Sequence, residues 1–181
     1  MIPGEECSMK LTVRENPGSL EKCLRALGRL KKARVKVGLP PSAGGRLLFI
    51  LAVQEHGSPV MRIPARPVIR PALSDPSVRA EMAGHFRSAI GSAWEGNEAA
   101  ARAALEAAGQ AGADGIRRYI DAGISPPNSP VTVSGGWIWN RPGKKGVHIK
   151  GKGFNKPLYD TGALYEAFGY EVERRDGLQW H

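Results

Sequence analysis

The sequence predicts a compact but irregular α+β protein that combines several helices with a few short strands. Apolar residues recur at helical spacing in some segments and alternate with charged residues in others, and these two periods are typical of helices and strands respectively. Hydrophobic residues make up 41% of the chain, which excludes wholesale disorder. The 23 glycines and 14 prolines predict many sharp turns. Since 181 residues are the size of one ordinary domain, we predict a single domain over residues 1–181.

The first third contains two predicted helices separated by a strand. Ser19 stands at the position of a helix N-cap, and the helix that follows through Lys31 carries an apolar stripe. Residues 33–38 alternate apolar and charged side chains, which predicts a strand with one exposed face. The apolar run 46–56 could be a buried strand or a buried helix, and the Gly57 that follows favours the helix. The first stripe comprises Leu20, Cys23, Leu24, Leu27 and Leu30.

Prolines interrupt the chain between residues 59 and 76, and two long helices follow. Because a residue before proline disfavours helical backbone, residues 61–67 are predicted to run extended, as an edge strand or a bracing arm. Residues 75–94 and 98–122 are predicted helices, the second Ala-rich and about 37 Å long. Each carries an apolar stripe, and we expect the stripe of the second helix to be buried. The first stripe is Val78, Met82, Phe86, Ile90 and Trp94, and the second is Ala101, Leu105, Ala108, Gly112, Ile116, Tyr119 and Ile120.

The last third is rich in glycine and basic residues. Residues 124–130 are turn-rich, and no regular structure is expected there. The region 124–157 is predicted to be a mobile basic loop or hairpin, with residues 137–139 and 147–149 as its arms. Residues 169–173 alternate like a closing strand.

The sequence gives little support for a catalytic site, a cofactor or a metal. Cys7 and Cys23 form no C-x-x-C pair and lie outside metal-ligand spacing from a histidine, so a disulfide framework and a zinc site are unexpected and a reducing cytoplasm fits best. The sequence carries no nucleotide-binding glycine motif and no serine-hydrolase motif. We therefore expect no catalytic residues, no cofactor and no metal. No secretory leader or membrane-spanning run is recognisable, so no membrane partner is expected.

Three groups of residues, in a fixed order, resemble a known family. They are 35–38 with the end of the helix 46–56, then the proline-rich segment 62–73, then 157–164. Their sequences are VKVG followed by QEHG, RIPARP followed by RPAL, and PLYDTGAL. The arrangement, over roughly residues 34–173, resembles the tail-component family of long-tailed bacteriophages and prophages, whose members are often called tail-completion, neck or head–tail joining proteins.

The resemblance implies an α+β subunit with a small, mostly antiparallel sheet flanked by helices. It implies a structural role without catalysis, as one subunit of an oligomeric ring that completes the tail or joins it to the head. The implied partners are other copies of the chain, the tail tube and head–tail connector proteins. The implied location is the virion tail or neck, after a stage in the bacterial cytoplasm. The sequence departs from the family pattern at Val68 and Ala167, and neither departure changes the order of elements.

The proline-rich arm contains no group fit for acid–base chemistry, because arginine stays protonated. A stiff, extended arm loses little entropy on docking, so its arginines could meet carboxylates of a neighbouring subunit. The alternative is an internal strap across the subunit's own core. The candidate interface residues are Arg62, Pro64, Arg66, Pro67 and Arg70.

The basic loop mixes positive charge with aromatic rings, as proteins that bind single-stranded nucleic acids do. The net charge of +9 attracts polyanions, although no base-reading motif accompanies it. Three alternatives stay open: nonspecific contact with DNA in a ring's channel, an arm that folds on the adjacent ring, and a solvated loop. A nonspecific DNA-binding module is the alternative function. The contact candidates are Trp137, Trp139, Arg141, Lys144, Lys145, Lys150, Lys152 and Lys156.

Asp160, Thr161 and Gly162 allow two interpretations. The triplet matches the active site of retroviral-type aspartic proteases, in which two carboxylates share a proton. That chemistry requires the triplet to lie in a loop between strands. Leu164, Tyr165 and Phe168 instead continue as one apolar helical face, so Asp160 or Thr161 is predicted to cap a short helix. The protease is kept as a distant alternative.

Overall fold

The structure of the chain, a computed structural model, describes residues 17–60, 62–138, 146–159 and 161–174. Helices and two small antiparallel sheets make up the fold, and the predicted α+β class is confirmed. The helices are α1 (Pro17–Leu30), α2 (Gly45–His56), α3 (Ile69–Ser74), α4 (Pro76–Trp94), α5 (Glu98–Asp121), α6 (Pro130–Ser134) and α7 (Ala163–Ala167). The strands are β1 (Ala33–Gly38), β2 (Gly136–Ile138), β3 (Val147–Ile149) and β4 (Gly169–Arg174).

Strands β1 and β4 form the larger sheet and join distant parts of the chain. They run antiparallel, with Val35 opposite Val172. The predicted alternation of β1 is confirmed, because Arg34 and Lys36 are exposed while Val35 is partly buried. The Lys36 Nζ lies 2.6 Å from the Glu173 Oε1. One face of this sheet is therefore charged and solvated, and the other is packed against α5.

Helix α5 is the central element, since it contacts α3, α4 and both strands of the larger sheet. Its predicted stripe is buried apart from the half-buried Tyr119, which confirms that prediction. A Cβ atom at Gly109 would lie 2.5 Å from the Tyr170 ring, and one at Gly115 would lie 2.7 Å from the Val78 side chain. Because these positions lack a side chain, the sheet and α4 can both approach α5 closely.

The main apolar core lies where α2, α3, α5 and α7 meet. Val68 and Ile116 are 0% exposed and Phe168 is 1% exposed. These residues come from widely separated segments, so the core joins the proline-rich arm to the central helix and to the C-terminal segment. The buried members of this core are Leu51, Val68, Ala72, Ile116, Ile120, Ile124, Leu164 and Phe168.

Each of the two long helices is capped at its N-terminus by a side chain. The Asp75 Oδ1 accepts hydrogen bonds from the backbone N–H groups of Ser77 at 2.8 Å and Val78 at 3.4 Å. The Asn97 Oδ1 accepts one from the Ala100 N–H at 3.0 Å. These bonds satisfy backbone donors that have no partner within the helix, and they separate α4 from α5 close to the predicted boundaries.

The first two helices agree with the predictions in type. Helix α1 begins at Pro17, slightly before the predicted cap at Ser19, and the apolar run 46–56 is the helix that the sequence favoured. Gly57 follows α2 with a φ of +73°, and a Cβ atom there would lie 2.8 Å from the Ala65 backbone nitrogen. Glycine is required at this position both for its conformation and for the close approach of the arm.

Two predicted apolar stripes are only partly buried. On α4, Val78 is buried, but Ile90 and Trp94 are 52% and 57% exposed. On α1, Leu20 and Leu24 are 59% and 58% exposed. These side chains therefore contribute little to the packing of the described part of the chain.

The proline-rich and basic regions contain more regular structure than the sequence predicted. Helix α3 begins at Ile69, in the proline-rich segment 62–73 and after the residues 61–67 that were predicted to run extended. Helix α6 lies within the region 124–157, before the hairpin. Strands β2 and β3 pair antiparallel with Trp137 opposite His148, which confirms the predicted hairpin arms for the residues that the structure describes.

Candidate interaction surfaces

The proline-rich arm divides into exposed and buried residues. Arg62, Pro64 and Pro67 are exposed, and Arg70 is exposed on α3. Arg66 is only 7% exposed. Within the described part of the chain Arg62 and Arg70 make no ion pair, so these two arginines can meet a partner, whereas Arg66 is turned toward its own subunit.

The Arg66 guanidinium binds backbone oxygens of the segment that follows α5. Its Nε donates to the Pro126 carbonyl at 2.7 Å, and its Nη2 donates to the Pro127 carbonyl at 2.8 Å. Its backbone N–H donates to the Gln54 carbonyl at 2.6 Å. Burial lowers the pKa of this guanidinium from its ordinary value. For Arg66 the structure therefore corrects the interface prediction in favour of the internal strap.

A carboxylate on α2 anchors the other end of the arm. The Glu55 Oε1 accepts hydrogen bonds from the backbone N–H groups of Val68 and Ile69, both at 2.8 Å. Val68 has no side-chain oxygen with which to cap α3, and Glu55 supplies that acceptor from another helix. An anion at this end of α3 also interacts favourably with the helix dipole. Gln54 and Glu55 thus hold the arm in place.

The hairpin presents an exposed aromatic residue and an exposed cation. Trp137 is 60% exposed and stacks edge-on against His148, with the ring centroids 5.3 Å apart. Lys150 follows β3 and is also exposed. Trp139, Arg141, Lys144 and Lys145 lie outside the described residues. Of the predicted contact residues, Trp137 and Lys150 are therefore accessible to a partner.

Lys152 is bound within the subunit. Its Nζ donates hydrogen bonds to the carbonyl oxygens of Lys156 at 2.8 Å and Tyr159 at 2.7 Å. The same ammonium lies 4.9 Å from the centroid of the Phe154 ring. These contacts fold the segment 150–159 back on itself, so Lys152 acts as an internal brace instead of the predicted contact with DNA or a neighbouring ring.

Lys156 is likewise bound within the subunit. Its Nζ donates to the Asp121 Oδ1 at 2.7 Å and lies 4.8 Å from the centroid of the Tyr159 ring. The Tyr165 hydroxyl donates to the other oxygen of Asp121 at 2.8 Å. The bond from Lys156 is the main reason that the pKa of Asp121 is lowered, and the bond to Asp121 raises the pKa values of Lys156 and Tyr165. This cluster ties the basic segment to the end of α5.

The predicted N-cap of α7 can be compared with the structure at Thr161 and Gly162. Asp160 lies outside the described residues. The Thr161 Oγ1 accepts a long hydrogen bond of 3.4 Å from the Ala163 N–H, and Gly162, in the left-handed conformation, occupies the N-cap position itself. The N-cap of α7 is therefore Gly162, one residue after the predicted Thr161. Thr161 and Gly162 lead directly into a helix, which is not the loop between strands that the protease alternative requires.

An apolar surface lies along α1 and α4, and we call it the α1–α4 seam. Its central part is an open groove of about 470 Å³ whose lining includes Leu27 from α1 and Ile90 from α4. Leu24 and Leu20 continue the stripe of Leu27 along α1. The seam consists of the apolar side chains that line the groove, among them Leu27, Leu30, Phe86 and Ile90.

No protein-family model, curated protein or solved structure matches this chain. The described residues contain no group of three or more His, Cys, Asp or Glu side chains that could hold a metal ion. None of the helices in the described ranges is long and apolar enough to cross a membrane.

Several important residues were missed by the sequence analysis. Glu55 and Asp121 look like ordinary solvated carboxylates in the sequence, yet each binds a partner that is distant along the chain. Val68 offers one signal, since a helix that starts after a residue without a capping oxygen needs an acceptor from elsewhere. The sequence contains no signal that identifies Glu55 as that acceptor.

Proposed function

We propose that this chain is a non-enzymatic structural subunit of a long-tailed bacteriophage or prophage, which completes the tail or joins it to the head as a member of a ring. The observation that carries the proposal is that the residues behind the family resemblance form one framework. Gln54 and Glu55 of the first group bind the arm of the second group, and Leu164 of the third group lies in the same core.

This framework gives a physical reason why the motifs occur together. Gly57 allows the arm to approach α2, Glu55 caps α3, and Arg66 fastens the segment after α5. Without the first group the arm would lose its anchors, and without the arm Val68 would be missing from the core that contains Leu164. The motif residues therefore act together to build the subunit, while the residues available to partners lie around the framework.

The surfaces around the framework suit assembly by shape and charge. In the described part of the chain β1 and β4 pair only with each other, so each strand has an outer edge at which another chain can add. Arg62 and Arg70 project from the arm. Trp137 and Lys150 project from the hairpin. We assign the strand edges and the arm to contacts between copies, and the hairpin to DNA in the channel or to the next ring.

The decisive experiment is complementation of a defective phage. The parent phage or prophage is given an amber mutation in this gene, and its particles are examined by electron microscopy. The proposal expects filled heads separated from full-length tails, and joined infectious particles after the purified protein is added to the lysate. An unrelated protein of similar positive charge serves as the control. Normal infectious particles from the amber mutant would overturn the proposal.

A nonspecific DNA-binding module is the second candidate, favoured by the exposed Trp137 and Lys150. A gel-shift assay at about 50 mM salt measures it, because phosphate contacts are strongest at low salt. The variant Trp137→Ala with Lys150→Ala is compared with Lys22→Ala, which removes a positive charge on the exposed side of α1. Tight duplex binding by monomers, lost only in the hairpin variant, together with a normal amber phenotype would favour this second function.

A further inference from the structure

Strand β1 has an outer edge with unpaired backbone groups in the described part of the chain. There β1 pairs only with β4, and no backbone hydrogen bond joins it to any other described segment. In an antiparallel pair, alternate residues direct their N–H and C=O groups away from the partner strand. Such a row of unpaired groups is a template for a further strand. The outer edge of β1 can therefore accept one more strand.

An open apolar groove lies beside this edge. Its volume is about 470 Å³, and Val35 of β1 lines it together with Leu27 of α1 and Ile90 of α4. Among the described residues, those of β4 take no part in the lining, so the groove lies on the outer side of β1. Ile90 is 52% exposed, and Leu24, which precedes Leu27 in the stripe of α1, is 58% exposed. A strand at the edge of β1 would therefore cover apolar side chains of both helices.

A single strand fits this place better than the sheet of a second copy. Helices α1 and α4 line the groove beside β1, and α5 packs on the same sheet. A second copy joined through β1 or β4, with its packed face on the same side, would bring its own α4 or α5 into the layer that α4 of the first copy fills. A lone extended segment brings no helix and avoids this collision.

The chain contains a segment of suitable sequence before α1. Residues 9–13, which lie outside the described residues, have the sequence MKLTV. Their apolar members, Met9, Leu11 and Val13, alternate with the polar Lys10 and Thr12, and this period is typical of a strand with one buried face. Beside β1, the three apolar side chains would cover the groove while the two polar side chains remain in solvent.

The charges on the solvent face of the sheet tolerate this placement. Lys10 would share that face with Arg34 and Lys36 of β1, which is a contact between like charges. Glu171 and Glu173 of β4 lie on the same face, and the Glu173 Oε1 is 2.6 Å from the Lys36 Nζ. Because exposed charges of both signs are present and water screens them, the added lysine has only a small effect.

The connection from residues 9–13 to β1 is typical of a crossover between parallel strands. It comprises residues 14–32, and the 14 residues of α1 make up most of it. Parallel neighbours need a connection of a dozen or more residues, usually a helix. Helix α1 is about 21 Å long and β1 about 20 Å, so the helix spans one strand length. Residues 14–16 and 31–32 remain for the two turns, which are ordinary loop lengths for such a unit.

We propose that residues 9–13 form a third strand of the larger sheet, parallel to β1 on its outer edge and above the groove between α1 and α4. The completed sheet then offers the edges of β4 and of the added strand to neighbouring copies. This inference does not depend on the proposed place in the virion, which the particle experiment tests separately.

Disulfide cross-linking in the full chain tests the position of the segment. Cys7→Ser with Cys23→Ser removes the natural thiols, and Thr12→Cys is then combined with Arg34→Cys or with Lys36→Cys, which cover two registers. Side chains on one face of neighbouring strands lie within disulfide range. After oxidation, one of the two pairs should form an intramolecular disulfide in most of the monomers, as measured by mass spectrometry and non-reducing gels.

Thr12→Cys with Glu171→Cys is the matched control. Glu171 lies opposite Lys36, one strand farther from the outer edge of β1, so this pair should cross-link at least tenfold less. Cross-linking mainly at Glu171 would place the segment at the edge of β4. Disulfide-linked dimers as the main product of the β1 pairs would show that the segment of one copy lies on another copy. Either result, or no cross-link in any pair, would overturn the proposal.

Two lysine substitutions test whether the segment covers the groove. Leu11→Lys places a charge on the apolar side of the segment and should at least triple the fluorescence of added 1-anilinonaphthalene-8-sulfonate, a probe of exposed apolar surface. In the same variant, hydrogen exchange at alternate amides of β1 should be at least tenfold faster. Thr12→Lys, on the solvent side, should match the wild type in both measurements, and circular dichroism checks that both variants are folded. Equal behaviour of the two folded variants would contradict the proposal.

Discussion

Helices α5 and α4 carry the same kind of apolar pattern but differ in what covers them. On α5, small residues at Gly109 and Gly115 allow the sheet and α4 to pack against it, and Ile116 is completely buried. On α4 the stripe begins buried at Val78 and ends half exposed at Ile90. Helical spacing thus identifies an apolar face, whereas the neighbours decide whether that face lies in the core or remains available to a partner.

The largest difference between the two helices is expected when an isoleucine on each is replaced by alanine. Ile116→Ala should lower the free energy of unfolding by about 3 kcal/mol or more, because it removes buried methyl groups and leaves a cavity. Ile90→Ala should lower it by less than about 1 kcal/mol, because that side chain is already half in water. Urea denaturation followed by circular dichroism measures both. Equal losses would mean that the seam is part of the core.

The second test compares a buried and an exposed arginine of the arm. Arg66→Ala should cost about 2 kcal/mol, because the carbonyl oxygens of Pro126 and Pro127 lose their donors. Arg70→Ala should change the free energy of unfolding by less than about 0.5 kcal/mol, because its side chain is exposed. Thermal and urea unfolding of the two variants provide the measurement. A small effect at Arg66 would remove the argument that the arm is an internal strap.

The third test concerns the glycines of the two long helices. Gly109→Ala should destabilise by about 1–2 kcal/mol, because its Cβ would collide with the ring carbons of Tyr170 and force the sheet away from α5. Gly91→Ala, on the exposed side of α4, should stabilise by up to about 1 kcal/mol through helix propensity alone. Urea midpoints of the two variants should therefore move in opposite directions. A gain in stability at Gly109 would show that the sheet can shift at no cost.

The smallest effect is expected from the cluster that ties the basic segment to α5, and it depends on pH. The pKa of Asp121 is lowered in the folded chain, so its contribution is present above its ordinary pKa and is lost as the pH falls through the folded value. The pKa of Lys156 is raised, so its contribution is present below its ordinary pKa and is lost as the pH rises through the folded value. The stabilisation therefore extends from about pH 5 to about pH 10.

Lys156→Met should remove this stabilisation. Urea midpoints of the wild type and the variant, measured across the pH range, should differ most between about pH 5 and pH 10 and converge at both extremes. Lys150→Met, at an exposed position in the same segment, is the matched control and should follow the wild type. A difference between Lys156→Met and the wild type that does not vary with pH would mean that packing against Tyr159 stabilises the segment, and not the ion pair with Asp121.

Much of the fold could be predicted because its signals are local. The stripe of α5 from Ala101 to Ile120, the alternation around Val35 and the turn at Gly57 each follow from spacing or from a single residue type. Helix α3 could not be predicted in this way, because its cap is supplied by Glu55 from another helix. The same limit applies to contacts between residues that are far apart along the chain.

The candidate interaction surfaces were also beyond prediction from local sequence. Arg66 and Lys156 have the same positive charge in the sequence as Arg70 and Lys150. The structure binds the first two inside the subunit and leaves the second two exposed. Composition therefore predicted a basic protein, but it could not separate the cations that hold the fold together from those that can meet DNA or another protein.

Local sequence was sufficient to place the longer helices and strands such as α4, α5 and β1, most of the turns and the basic character of the chain, because these properties depend on neighbouring residues. Which apolar stripes are covered and which charges are paired depends on how distant segments pack together. Burial and ion pairing depend on segments such as 50–57, 66–72 and 116–126 meeting in space. The α1–α4 seam is the clearest case, since its stripe is visible in the sequence but its exposure depends on the absence of a covering element in the described part of the fold.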